Sequence, residues 1–292
     1  MISIDITLLI SFLTNFLIQF GVVVFIIFIA TQLKRFIIHF HQKRGDYQSN
    51  RAVAISTTGF YISTILILFT SLQKLSYEYI SDIVSILSIS LLGILFLIIN
   101  RFILKLFYFQ EFNQYYELDR ENIAFAIFQI SGFIATSILF YKSFAGVEFT
   151  LEAVAIKTLY FLIGQISLFI FVKIFILMTP YDDVREIQRG NIAVSIDFFS
   201  IFLSLSLLFG NIVKEVVNID LTSIAYISIY FLISSLPFIY IPNLITSLIS
   251  SGGKRVTKSI SDGNMVVAIK SGTIKIAIAI LVIENLPLSI VQ

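Results

Sequence analysis

The chain has 292 residues, 58% of them apolar and 13% charged, with a net charge of +2 and a mean hydropathy of +0.95. Soluble domains run near 45–50% apolar and about 25% charged, so a water-soluble fold of this size would leave apolar surface over most of its exterior; a lipid bilayer is the solvent that removes that penalty. The absence of cysteine excludes disulfides, thiolate catalysis and cysteine metal sites, and so small a net charge gives no reason to expect nucleic acid as a partner.

In chain order, eight apolar runs are long enough to cross a hydrocarbon core that takes roughly 20 helical residues. They lie near 7–33, 51–72, 80–107, 123–142, 152–178, 191–213, 222–250 and 264–284. The first has no Lys or Arg over Met1–Thr7 and outruns a signal-peptide core, so it is expected to stay as a membrane helix. The polar segments between runs are too short to fold alone, which predicts a single membrane domain over 1–292.

Lys and Arg are unevenly shared among those segments. Fourteen of the 20 fall in the hairpins joining helices 1–2, 3–4, 5–6 and 7–8, whereas the alternate loops hold only Lys74, Lys142 and Lys214. By the positive-inside rule the rich hairpins are cytoplasmic and both termini lie outside.

The same hairpins end in a recurring motif. Asn50-Arg-Ala-Val-Ala-Ile, Asn122-Ile-Ala-Phe-Ala-Ile, Asn191-Ile-Ala-Val-Ser-Ile and Asn264-Met-Val-Val-Ala-Ile each open an apolar run, at steps of 72, 69 and 73 residues. A fixed period of this length is the mark of internal repetition. The expected fold is an all-α membrane protein of eight transmembrane helices, arranged as four parallel two-helix repeats over about 1–74, 75–145, 146–216 and 217–292. Asn50, Asn122, Asn191 and Asn264 are expected to be helix N-caps, their side-chain oxygens accepting from the first free N–H groups. The alanines behind them allow close helix approach. A second reading has the four helix N-termini converge on a polar vestibule.

The third motif, Pro180-Tyr-Asp-Asp-Val-Arg-Glu-Ile-Gln-Arg-Gly-Asn-Ile-Ala-Val-Ser-Ile196, resembles the bacterial inner-membrane family catalogued as domain of unknown function 350. Ser49 and Val266 depart from that pattern in the first and fourth motifs. The resemblance implies a small multi-spanning protein of paired two-helix units in a bacterial inner membrane, and it implies no substrate.

Several polar residues fall inside the spans. Asp197 and Lys270 each stand six positions past their motif asparagine, hence at equal depth, and are expected to form an intramembrane charge pair. That pair reads either as a structural lock between helices or as part of an ion route. Lys275 lies deeper, with no acidic partner in its own helix. Gln129 and Gln165 are expected to bond between helices. Pro237 and Pro242, after Ser234 and Ser235, read either as a plain kink in helix 7 or as a candidate broken helix. His39 and His41 are too widely splayed on a helix to suggest a metal site.

No nucleophile elbow, zinc helix, phosphate loop or dinucleotide turn occurs, so neither enzyme activity nor a cofactor is expected. Asp182, Asp183 and Glu186 read either as a divalent-ion cluster or as a solvated turn. The function expected first is a pathway for a small ion or solute along the axis the repeats surround, and the alternative is a non-conducting membrane scaffold or assembly subunit. The expected partners are the lipid bilayer and a further copy or another membrane protein.

Overall fold

The computed structural model describes residues 6–39, 49–73, 79–108, 113–147, 149–214, 221–249 and 256–285. Among them the regular structure is helical: α1 (Ile6–His39), α2 (Arg51–Ser71), α3 (Tyr79–Tyr108), α4 (Gln114–Asp119), α5 (Ile123–Phe144), α6 (Leu151–Met178), α7 (Asp183–Gln188), α8 (Ile192–Lys214), α9 (Leu221–Ile249), α10 (Val256–Ser261) and α11 (Met265–Asn285). Seven of these, α1, α2, α3, α5, α6, α8 and α11, hold stretches long and apolar enough to cross a membrane. The remaining long helix, α9, contributes the shorter apolar stretch Thr222–Phe238. Hydroxyls within the spans turn back onto their own helices, as where Thr64 donates to the Phe60 carbonyl and Ser143 to Leu139. An unmet donor in hydrocarbon would be costly, and this local bond avoids it.

The long helices form two layers. The four that follow the asparagines, α2, α5, α8 and α11, run parallel in one row, each packed chiefly on the next. In the second layer α3 lies against α2 and α5, α6 against α5 and α8, and α9 against α8 and α11, while α1 packs on α3. Aromatic rings fill the space between layers. Phe128 of α5 meets Phe198 and Phe202 of α8 edge-on at 5.5 and 5.8 Å, and Tyr108 of α3 joins them. The Tyr108 hydroxyl donates to the Phe169 carbonyl of α6 at 2.8 Å, which meets the polar need of a buried phenol.

Two expectations are corrected here. The helix α9 continues through Pro237 and Pro242 instead of breaking. Each proline removes one backbone bond, but an unwound stretch in lipid would expose several more, so the helix persists. The polar connections also hold structure that the sequence reading missed, namely the short helices α4, α7 and α10. Asn113 and Asp182 cap the first two, accepting from Tyr115 and Arg185 N–H groups at 3.0 and 3.1 Å. Asn or Asp nine residues ahead of a motif asparagine was the signal available.

Candidate functional site

All four motif asparagines cap their helices as expected. Their Oδ1 atoms accept from Val53 at 2.9 Å, Phe125 at 3.0 Å, Val194 at 3.4 Å and Val267 at 3.1 Å. Just ahead of three of them the chain leaves its short helix through a left-handed residue: Glu121 at φ 58°, Gly190 at 88° and Gly263 at 85°. Glycine suits that conformation and Glu121 does not, since a Cβ there crowds the backbone.

The other end of the asparagine side chain does something that capping does not require. Asn50 Nδ2 donates to the Leu118 carbonyl at 2.8 Å, Asn122 Nδ2 to Ile187 at 3.0 Å, and Asn191 Nδ2 to Ser261 at 2.9 Å. These acceptors are carbonyls in the last turns of α4, α7 and α10; the first two also accept a backbone N–H, from Glu121 and Gly190. Each asparagine thus closes an N-terminus with its oxygen and the C-terminus of the following short helix with its nitrogen, tying segments 65 to 70 residues apart. Asn50 and Asn122 are buried, Asn191 is half-buried, and Asn264, at the end of the row, is exposed. This geometry favours the capping and packing reading; the four N-termini stand side by side in a row.

The register between neighbouring row helices is constant. Counting from each asparagine, position +6 of one helix meets +7 and +11 of the next. Ser56 donates to Gln129 Oε1, Phe128 meets Phe198 and Phe202, and Asp197 accepts from Ser271 at 3.2 Å and pairs with Lys275. Position +9 meets +8 where Gly59 lies against Ile130 and Gly272 against Ser200, contacts too close for an added Cβ to fit without displacing a neighbour. At about 100° per residue, +6, +9 and +13 share one side of a helix, and +7, +8 and +11 share the opposite side.

That register corrects the expected charge pair. Equal offsets on parallel helices of one row point in the same direction, so Asp197 and Lys270 cannot face one another. The partner of Asp197 is Lys275, on the side of α11 that faces α8; Lys270 points away and is exposed. The ion pair itself is sealed, with Asp197 4% and Lys275 1% exposed. Lys275 also lies 5.1 Å from the centroid of the Phe175 ring.

Toward the α7 side of this pair sits a third buried ionisable group. Asp183 accepts from Thr179 and is 1% exposed. Burial pushes its carboxyl up to about 7 and the charge of Asp197 adds to the rise, against the lowering effect of the Thr179 hydrogen bond. Burial likewise raises the Tyr181 phenol, with Asp183 contributing. The three acidic groups of this turn take separate partners. Asp182 caps α7 and bridges Arg185 at 3.0 Å, Glu186 engages Arg189 and Asn191, and Asp183 holds Thr179. Gln129 bonds between helices as expected, whereas both side-chain polar atoms of Gln165 are buried without a hydrogen bond. His41 lies outside the described residues, as does the side chain of His39.

Apolar helices in two layers, joined by capped polar turns, define a multi-pass all-α membrane protein. The chain belongs to the family described as Domain of Unknown Function (DUF350), whose model matches it in two tandem copies, 7–144 and 149–286. Each copy spans two asparagine motifs. Neither the curated proteins nor the solved structures contain a match to this chain.

Proposed function

We propose that this protein is a non-conducting scaffold of the bacterial inner membrane, with α9 as its eighth span, both termini outside, and four two-helix repeats in an open row that a second copy extends. One observation carries the reading. At +6, +9 and +13 the first three row helices bury Ser56, Gly59, Ser63, Phe128, Ser131, Ala135, Asp197, Ser200 and Ser204, whereas α11 exposes Lys270, Thr273 and Ala277. The last helix exposes two small residues, Thr273 and Ala277, beside Lys270 on the face that each earlier helix packs against its neighbour, and small residues serve helix contact, not lipid. Its asparagine is also the one whose amide has no acceptor among the described residues. Continuing the register brings Lys270 beside Thr57 and Tyr61 of another copy's α2, with Thr273 against Thr58, which is exposed.

The chain lacks cysteine, so Thr58→Cys and Thr273→Cys supply the only thiols. Oxidation of membranes holding both variants is expected to give a covalent dimer in which one thiol comes from each. Equal cross-linking between two Thr273→Cys chains, or none under any condition, would leave that face to lipid or to a different protein.

The conducting reading draws on a separate observation: Asp183, Asp197 and Lys275 place buried ionisable groups in sequence from the α7 turn into the span. It requires proton or cation flux in liposomes that Asp197→Asn abolishes. The scaffold reading expects no flux under any gradient, consistent with the aromatic filling between layers.

A further inference from the structure

A small recess opens among α1, α2, α3 and α5 near the asparagine side of the bilayer. Lys34, Arg101, Val53, Phe60, Leu97 and Phe133 line it. Its walls are apolar apart from two cations and the hydroxyls of Ser56 and Thr57. The ammonium of Lys34 and Nη2 of Arg101 are both buried with no hydrogen-bond partner. Lys34 lies 5.6 and 5.5 Å from the Phe60 and Tyr61 ring centroids; the Arg101 guanidinium stacks 4.8 Å from that of Tyr115 and reaches Gln114 with Nε at 3.4 Å. No carboxylate among the described residues pairs with either. Of the two acids in the nearest short helix, α4, the buried one, Glu117, takes Arg120 and Asn122.

Two like charges sharing an apolar recess are costly to bury, and an anion that joins them lowers that cost. An ammonium supplies a point charge and a guanidinium a planar fork, a combination suited to phosphate oxygens. We infer that this recess binds a phosphate-bearing anion, held by Lys34 and Arg101, and that the anion is the headgroup of an anionic phospholipid whose acyl chains stay in the bilayer outside the recess. The inference needs no second copy, although Thr57 of the recess and Tyr61 beside Lys34 also lie on the face along which the row would extend.

The test uses the full chain purified in a neutral detergent. Its thermal unfolding is followed during titration with short-chain phosphatidylglycerol, short-chain phosphatidylcholine or inorganic phosphate. Phosphatidylglycerol is expected to stabilise at a half-saturating concentration roughly tenfold or more below that of phosphatidylcholine, as befits at least one charge-assisted contact. Lys34→Gln and Arg101→Gln should each remove that preference, and Lys34→Arg should keep it. Inorganic phosphate that stabilises as strongly as the lipid would retain the anion site and give it to a free ion. Equal action of the two lipids on the native chain, or an undiminished preference in the Lys34→Gln, Arg101→Gln double variant, overturns the inference. Should the glutamine variants not accumulate, native mass spectrometry of the unaltered protein from an equal lipid mixture decides: selective retention of phosphatidylglycerol supports the site, and equal retention rejects it.

Discussion

Asp197 of α8 and Lys275 of α11 form a sealed ion pair across a helix junction at which Lys270, the residue level with Asp197 in sequence register, faces the opposite way. The net energy of the intact pair is small, because a buried pair is close to neutral against a well-packed apolar replacement. Removing one partner is another matter, since it strands the other charge in a site that water cannot reach.

Replacement of either member alone is therefore expected to cost about 3–5 kcal/mol. The Asp197→Ala, Lys275→Ala double variant should lose clearly less than the sum of the singles, and Lys270→Ala should stay within about 0.5 kcal/mol of the native chain. Unfolding of purified variants in mixed micelles measures all four. Additive losses at 197 and 275, or a Lys270 effect as large as that of Lys275, would refute the assigned pairing.

The asparagines should separate by their position in the row. Asn122→Ala loses a cap and the amide bonds to α7 together, an expected cost of about 2–3 kcal/mol from a cap near 1 and net hydrogen bonds of about 1 each. Asn264→Ala loses the cap alone and should cost about 1 kcal/mol. The same unfolding measurement ranks them, and equal costs would show that the amide bonds contribute nothing.

Asp183 carries a pH dependence of definite sign. Its folded carboxyl titrates at about 7, above the roughly 3.9 of an unfolded aspartate. The folded state thus binds more protons between those values. Stability should fall as pH rises through that window and level off above it. Asp183→Asn, which keeps the acceptor for Thr179, should match the native chain near pH 4 and exceed it by up to a few kcal/mol at pH 8. Thermal unfolding at the two pH values checks this; a variant that is no more stable at pH 8 would mean that the buried carboxylate carries no such penalty.

Composition and local spacing were enough to set the solvent, most of the spans and the caps. Too few charges are present to cover a soluble exterior, apolar run length is set by bilayer thickness, and an N-cap is a bond between residues three apart. The family resemblance rested on the same local pattern around Asn191. Which faces meet was set by packing between segments far apart in the chain. Residue spacing fixes the direction in which Asp197 and Lys270 point, and equal spacing made them look like partners. On parallel neighbours that equality turns both the same way, so contact belongs to Lys275, on the opposite face of its helix. The second bond of each asparagine was hidden for a related reason, because its acceptor is a backbone carbonyl some 70 residues on, and a carbonyl leaves no mark in the residue code. Continuity of α9 through Pro237 and Pro242 likewise left no mark in the local sequence.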